Sequence, residues 1–121
     1  MAWPSTPPDL IALFERSLPL DPRVDRRKMF RCPCAFANGA MFMGVHAGTL
    51  FLRLDPTDRA RAIAEHGARL FDPMGGRPMR EYVVVPATIL QKAETRADWI
   101  ARGFAYALTV PAKPKRVSKR N

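Results

Sequence analysis

The chain is poor in the residue types from which reactive centres are usually built. Its 121 residues include two cysteines and two histidines. A tetrahedral metal site would need Cys32, Cys34, His46 and His66 to meet at one point. No catalytic constellation stands out, so no enzymatic activity and no cofactor is expected. No apolar run approaches the ~18 residues of a membrane-spanning helix. The first residues, Met-Ala-Trp-Pro-Ser-Thr-Pro-Pro-Asp, lack the basic and apolar regions of a signal peptide. With so few cysteines, these absences point to a reducing cytoplasm and no membrane partner. No internal repeat is present. Acids are also scarce, with 11 Asp/Glu against 20 Lys/Arg and a net charge of +9.

That charge is uneven. Residues 111–121 hold five of the basic residues, Lys113, Lys115, Arg116, Lys119 and Arg120, and no acid. Two prolines and no bulky core residues follow Val110, so this segment reads as a disordered basic tail. Residues 1–110 read as one domain, mildly basic, of a size that needs neither metal nor disulfide to fold.

The organising stretch is residues 28–54. Three apolar runs of strand length are separated by Asn38-Gly39 and Ala47-Gly48. Asn-Gly between apolar runs marks a tight hairpin, because a type I′ turn needs positive φ at both central residues. The pattern predicts a three-stranded antiparallel meander. In its third strand Leu50, Leu52 and Leu54 take one face and Phe51 and Arg53 the other. In its second, Met41, Met43 and Val45 oppose Phe42, Gly44 and His46. Apolar residues on both faces predict helices on one side of the sheet and partial cover on the second, from the tail or a partner chain.

Around the meander, Thr6 to Asp9 reads as a helix start, with Leu10, Phe14 and Leu18 forming one stripe that ends before Pro19. Residues 19–28 read as a polar loop. Asp55 or Thr57 caps a second helix that Gly67 ends. Residues 68–72 form a short strand or extended piece, 73–78 a turn-rich loop and 79–85 a strand stopped by Pro86. A helical turn spans 87–90, and the last helix runs from Asp98 to Leu108, anchored by Trp99 and Phe104. The order α-β-β-β-α-β-β-α predicts an α+β two-layer sandwich, with helices grouped on one face of an antiparallel sheet.

Several of these residues together resemble the TfoX N-terminal domain (TfoX/Sxy) family. They are Lys28-Met29-Phe30, Asn38-Gly39 before Met41-Phe42, and Leu50 to Leu54 leading into the Asp-Arg helix. Phe71, Gly76-Arg77-Pro78, Glu81-Tyr82, Pro86 and Trp99 complete the set. The resemblance covers roughly residues 9–108. Family members often carry glycines after Met-Phe, where this chain has Arg31-Cys32-Pro33-Cys34. The resemblance implies a fold like that of type III secretion chaperones, association with regulators of bacterial competence that act on transcription, and no enzymatic activity.

A plainer role competes at each candidate site. Cys32 and Cys34, at i and i+2 of a strand, point the same way, but packing outweighs metal or redox use. His46 reads as a hydrogen-bonded strand end, and His66 as a cation at a helix C-terminus. Residues 72–78 read as a connecting turn rather than a phosphate loop. Arg23, Arg26, Arg27, Lys28 and Arg31 form a basic cluster. The candidate nucleic-acid or anion contacts are Arg26, Arg27, Lys28 and Arg31 with the five basic residues of the tail. The expected role is a small non-enzymatic regulatory or interaction protein, through a protein partner or a homodimer. Nucleic-acid binding is the alternative.

Overall fold

The computed structural model describes residues 8–29, 32–72, 75–76 and 79–110. The expected cap at Thr6, the residue Arg31, most of the 73–78 loop and the tail lie outside these residues.

The described elements are α1 (Pro8–Ser17), β1 (Val24–Met29), β2 (Cys32–Ala37), β3 (Ala40–His46), β4 (Thr49–Arg53), α2 (Pro56–His66), β5 (Arg69–Phe71), β6 (Met79–Val84), α3 (Ala87–Leu90) and α4 (Ala93–Thr109). The strands form one antiparallel sheet in the order β1-β2-β3-β4-β6-β5. The fold is α+β, as the sequence implies.

The Asn38-Gly39 hairpin is present. Its two residues have φ of 52° and 87°, and Ala37 lies opposite Ala40. Ala47-Gly48 repeats the geometry between His46 and Thr49, with Ala47 itself at φ 48°. Such a conformation costs a non-glycine residue roughly 1 kcal/mol, which the ladders on either side offset.

The meander has four strands, not three. Residues 24–28, expected as loop, are β1, paired from Val24 opposite Ala37 to Met29 opposite Cys32. An edge strand wetted on both faces has little apolar surface to bury. Asp25-Arg26-Arg27-Lys28 therefore shows no alternation, and Val24 packs against the core.

A second departure lies in β3. Cys34 and Ala35 face Gly44 and Met43, but Phe36 faces Met41, so Phe42 is an extra residue in the ladder. The bulge turns Phe42 into the same core as Met43 and Val45 and sends Met41 to the opposite face. Strict alternation, which groups Met41 with Met43, fails at this one residue.

All helices pack on one face. Phe14 of α1, Ala62 of α2, Ile89 of α3 and Trp99, Ile100 and Ala107 of α4 share one core with Ala35, Phe42, Leu50, Leu52, Leu54 and Val83. Leu50 and Leu52 of β4 and Leu54 just after it lie on this face as expected, and Phe51 on the other. The ring of Phe104 meets Phe42 edge-on at 5.5 Å.

Local signals fix the helix ends. Asp55 caps α2 by accepting from Asp58 N at 2.8 Å, and Gly67 ends it at φ 73°. The last helix starts five residues before Asp98, at Ala93. Arg96 steadies that early turn, donating to Leu90 O at 2.7 Å and Ser17 Oγ at 3.1 Å.

The helix α4 lies close on β4 at Gly103. A Cβ there would stand 2.8 Å from Arg53 O and 2.7 Å from Leu52 Cδ1. Alanine would favour the helix by about 1 kcal/mol. Overpacking against a backbone carbonyl costs about 1–3 kcal/mol, so the clash prevails. Gly103→Ala is expected to lower stability by up to about 2 kcal/mol, read as an earlier urea midpoint with an unchanged slope. A midpoint that moves later would contradict the close approach.

Candidate functional site

The helix-free face carries its own cluster. Phe51, Phe71 and Tyr82 are 5%, 5% and 9% exposed, with Met41, Met79 and Val84 packed around them. Phe71 stacks on Phe51 with centroids 4.3 Å apart, and Tyr82 meets Phe51 edge-on at 5.8 Å. The Tyr82 hydroxyl donates to Met41 O at 2.9 Å, which satisfies its polar end. Burial also pushes the Tyr82 phenol up. The sheet's second face is therefore closed over β4, β5 and β6 by aromatic side chains of the sheet itself. Three aromatics this deeply buried are not free to stack on bases.

The candidate contacts gather at the outer strand. Asp25, Arg26, Arg27 and Lys28 of β1 are all exposed. The sheet divides them. Arg26 points to the helix side, where its Nε donates to Glu15 Oε2 of α1 at 2.6 Å. Arg27 points to the other side, where its Nε donates to Asp25 Oδ2 at 2.7 Å. The Arg27 guanidinium lies 4.7 Å from the Phe36 ring centre. Arg31 and the five tail residues lie outside the described residues. The cluster is thus an edge with cations on both sides, not a single basic patch.

Strand β1 is entered through a local clamp. Asp21 accepts from Arg23 N and Nε, both at 2.9 Å, and from Nη2 at 2.8 Å. These hydrogen bonds hold the Asp21 carboxyl down at about 2. The pair is exposed, so it orders the turn more than it stabilises the fold. The Glu15–Arg26 pair and the Phe36 shelf carry no sequence signal of their own. Both become legible only once β1 is known to be a strand lying against Phe36 and beside α1.

The cysteines and histidines lie on β2, β3 and α2. Cys34 is 2% exposed, and Cys32 is partly exposed on the same face. Neither cysteine is in a disulfide, and among the described residues no group of three or more His, Cys, Asp or Glu is placed to hold a metal. His66 ends α2 and meets Trp99 edge-on at 5.5 Å. His46 ends β3, 5.8 Å from Phe71, in a recess of ≈ 550 Å³ shared with Arg69 and Asp72. Asp72 closes its own turn, accepting from Gly76 N at 3.0 Å. Among the described residues no helix is long and apolar enough to cross a membrane.

An α+β domain with helices on one face, aromatics filling the other and a cationic edge strand defines the class of this protein. A family model for the TfoX N-terminal domain matches residues 17–107. The chain belongs to that family. The match begins at the last residue of α1 and takes in the whole sheet. A search of the curated proteins returns no match.

Burial pushes the Cys34 thiol up, because ionisation would strand a charge among apolar neighbours. A raised pKa contributes stability that is fully present below the unfolded thiol's value. That contribution is lost as pH rises through the folded value. Cys34→Ala is thus expected to soften the alkaline fall in stability, read as urea midpoints at about pH 7 and about pH 10. A thiol reagent should label Cys32 first and Cys34 only as the domain opens. Equal labelling rates in the folded protein would contradict this placement.

Proposed function

We propose that this domain is a non-enzymatic interaction module of the TfoX N-terminal type. It acts in the cytoplasm, in transcription or competence regulation, by holding a protein partner. The observation that carries the reading is β1. It is a six-residue edge strand with its four charged residues exposed, on a sheet covered by helices on one face and, over β4, β5 and β6, by aromatics on the other. A charged edge also guards against aggregation, but the Arg27–Phe36 stack adds an ordered cation–aromatic surface beside it. The family membership supports a regulatory role over catalysis.

A second reading, nucleic-acid binding, is favoured by the net charge of +9. The two separate by salt. A site contacting about four phosphates loses affinity with a log–log slope of roughly −3 to −4. A protein partner held by backbone pairing and apolar contact responds far less.

Capture from nuclease-treated lysate of the native cell, with the full chain and with a chain lacking residues 111–121, tests the proposal. The expected result is a saturable protein partner retained by both. A body that stays monomeric at high concentration and recovers no protein would refute it. Recovery of nucleic acid alone would favour the second reading.

A further inference from the structure

We propose that β1 accepts an acidic, extended segment of a partner protein as a seventh strand. This rests on the interaction role above and deepens it.

The backbone supplies the first argument. Asn38 N donates to Arg23 O at 3.3 Å across the β1–β2 ladder. In an antiparallel ladder hydrogen-bonded and non-hydrogen-bonded pairs alternate. The ladder is regular from Val24 to Met29. Asp25 and Arg27 therefore bond inward to β2, while the C=O of Val24 and the N–H and C=O groups of Arg26 and Lys28 point out from the sheet edge; the Val24 N–H donates to Asp21 O at 3.0 Å. That spacing matches an added strand of about six residues. The opposite edge does not compete. Strand β5 has three residues, with an irregular register between Leu70 and Phe71.

Charge chooses the occupant. Strand β1 holds Arg26, Arg27 and Lys28; Glu15 of α1 pairs with Arg26 and Asp25 with Arg27, which leaves the edge net positive. A second copy of β1 would bring the same excess of positive charge to the pairing line. Like charges directly opposite are destabilising. Carboxylates at alternate positions of an incoming strand share one face, where they meet Arg26 and Lys28 on the helix side. Cations on both sides of a sheet edge also suit an in-plane strand better than a phosphate backbone, which would follow one side. The Phe36 ring under Arg27 gives that side an apolar shelf for alternate side chains of the same strand.

The test uses the full chain and two labelled, end-blocked peptides of equal charge. One alternates glutamate and valine over eight residues, and the other carries proline in place of each valine. Proline lacks the N–H needed to join a ladder. Up to about 1 mM, the weak end of specific recognition, the valine peptide should bind at least about tenfold more tightly than the proline peptide. It should move the amide NMR signals of residues 24–29. Arg26→Glu with Lys28→Glu should weaken binding by about tenfold, with the circular dichroism spectrum retained. If that pair does not fold, Lys28→Gln, at an exposed position, should weaken it severalfold.

Equal binding of both peptides would reduce the effect to charge and overturn the proposal. So would no binding at all, displacement by a single-stranded or duplex oligonucleotide, or a dimer formed through residues 24–29. A native partner that binds the charge-reversed chain unchanged would remove this strand site and leave the interaction role intact. Recovery of no partner would remove the role itself.

Discussion

The Phe51 ring lying on the backbone of Gly44 is the contact on which the two-sided character of the sheet depends. The two residues are register partners on β4 and β3. A Cβ on Gly44 would stand 2.8 Å from Phe51 Cε2 and closer still to Cζ. Only a bare backbone lets the ring lie flat, and only a flat ring lets Phe71 stack on it. That stack adds about 0.5–1.5 kcal/mol beyond area burial. Removing the Phe51 side chain from water contributes roughly 1.5–3 kcal/mol, so burial outweighs stacking. The Phe42 bulge assists. It delivers Met41 to this face, where its carbonyl receives the Tyr82 hydroxyl.

With the helix-free face closed in this way, β4 is buried on both sides at the sheet's centre. Its leucines meet the helices, and Gly103 lets α4 come down onto Leu52 and Arg53. The surface left for recognition is the rim. One end of the sheet is a three-residue strand, and the other is β1 with its alternating cations. The proposed interaction role rests on that geometry: among the described residues the middle of the sheet is occupied by its own side chains, and the β1 edge is not.

Much of this was readable from the residues. Asn38-Gly39 announces its hairpin because few other dipeptides accept positive φ twice. The leucines of β4 announce their face because both sides of that strand are buried by different partners. Asp55 and Gly67 bound α2 through local hydrogen bonding alone. Strand β1 was not legible, since a solvated edge imposes no apolar period on its sequence. The reversal of Met41 and Phe42 was hidden too, because a bulge leaves composition unchanged and shifts only the register. The basic cluster was legible as charge but not as geometry. Its division between two faces depends on Arg26 and Arg27 being neighbours in a strand. The plain reading of Cys34 rested on its residue type, and its depth came from lying between Arg27 and Gly44 in the ladder.

The Gly44–Phe51 contact is tested most directly by a double-mutant cycle in urea with Gly44→Ala and Phe51→Leu. Alone, Gly44→Ala should cost about 1–3 kcal/mol, the range for overpacking. In the Phe51→Leu background, where a smaller side chain faces the glycine, that cost should shrink by about 1 kcal/mol or more, the coupling expected of residues in contact. Additive losses would mean that the ring does not rest on the glycine, and that the helix-free face is closed in some other way.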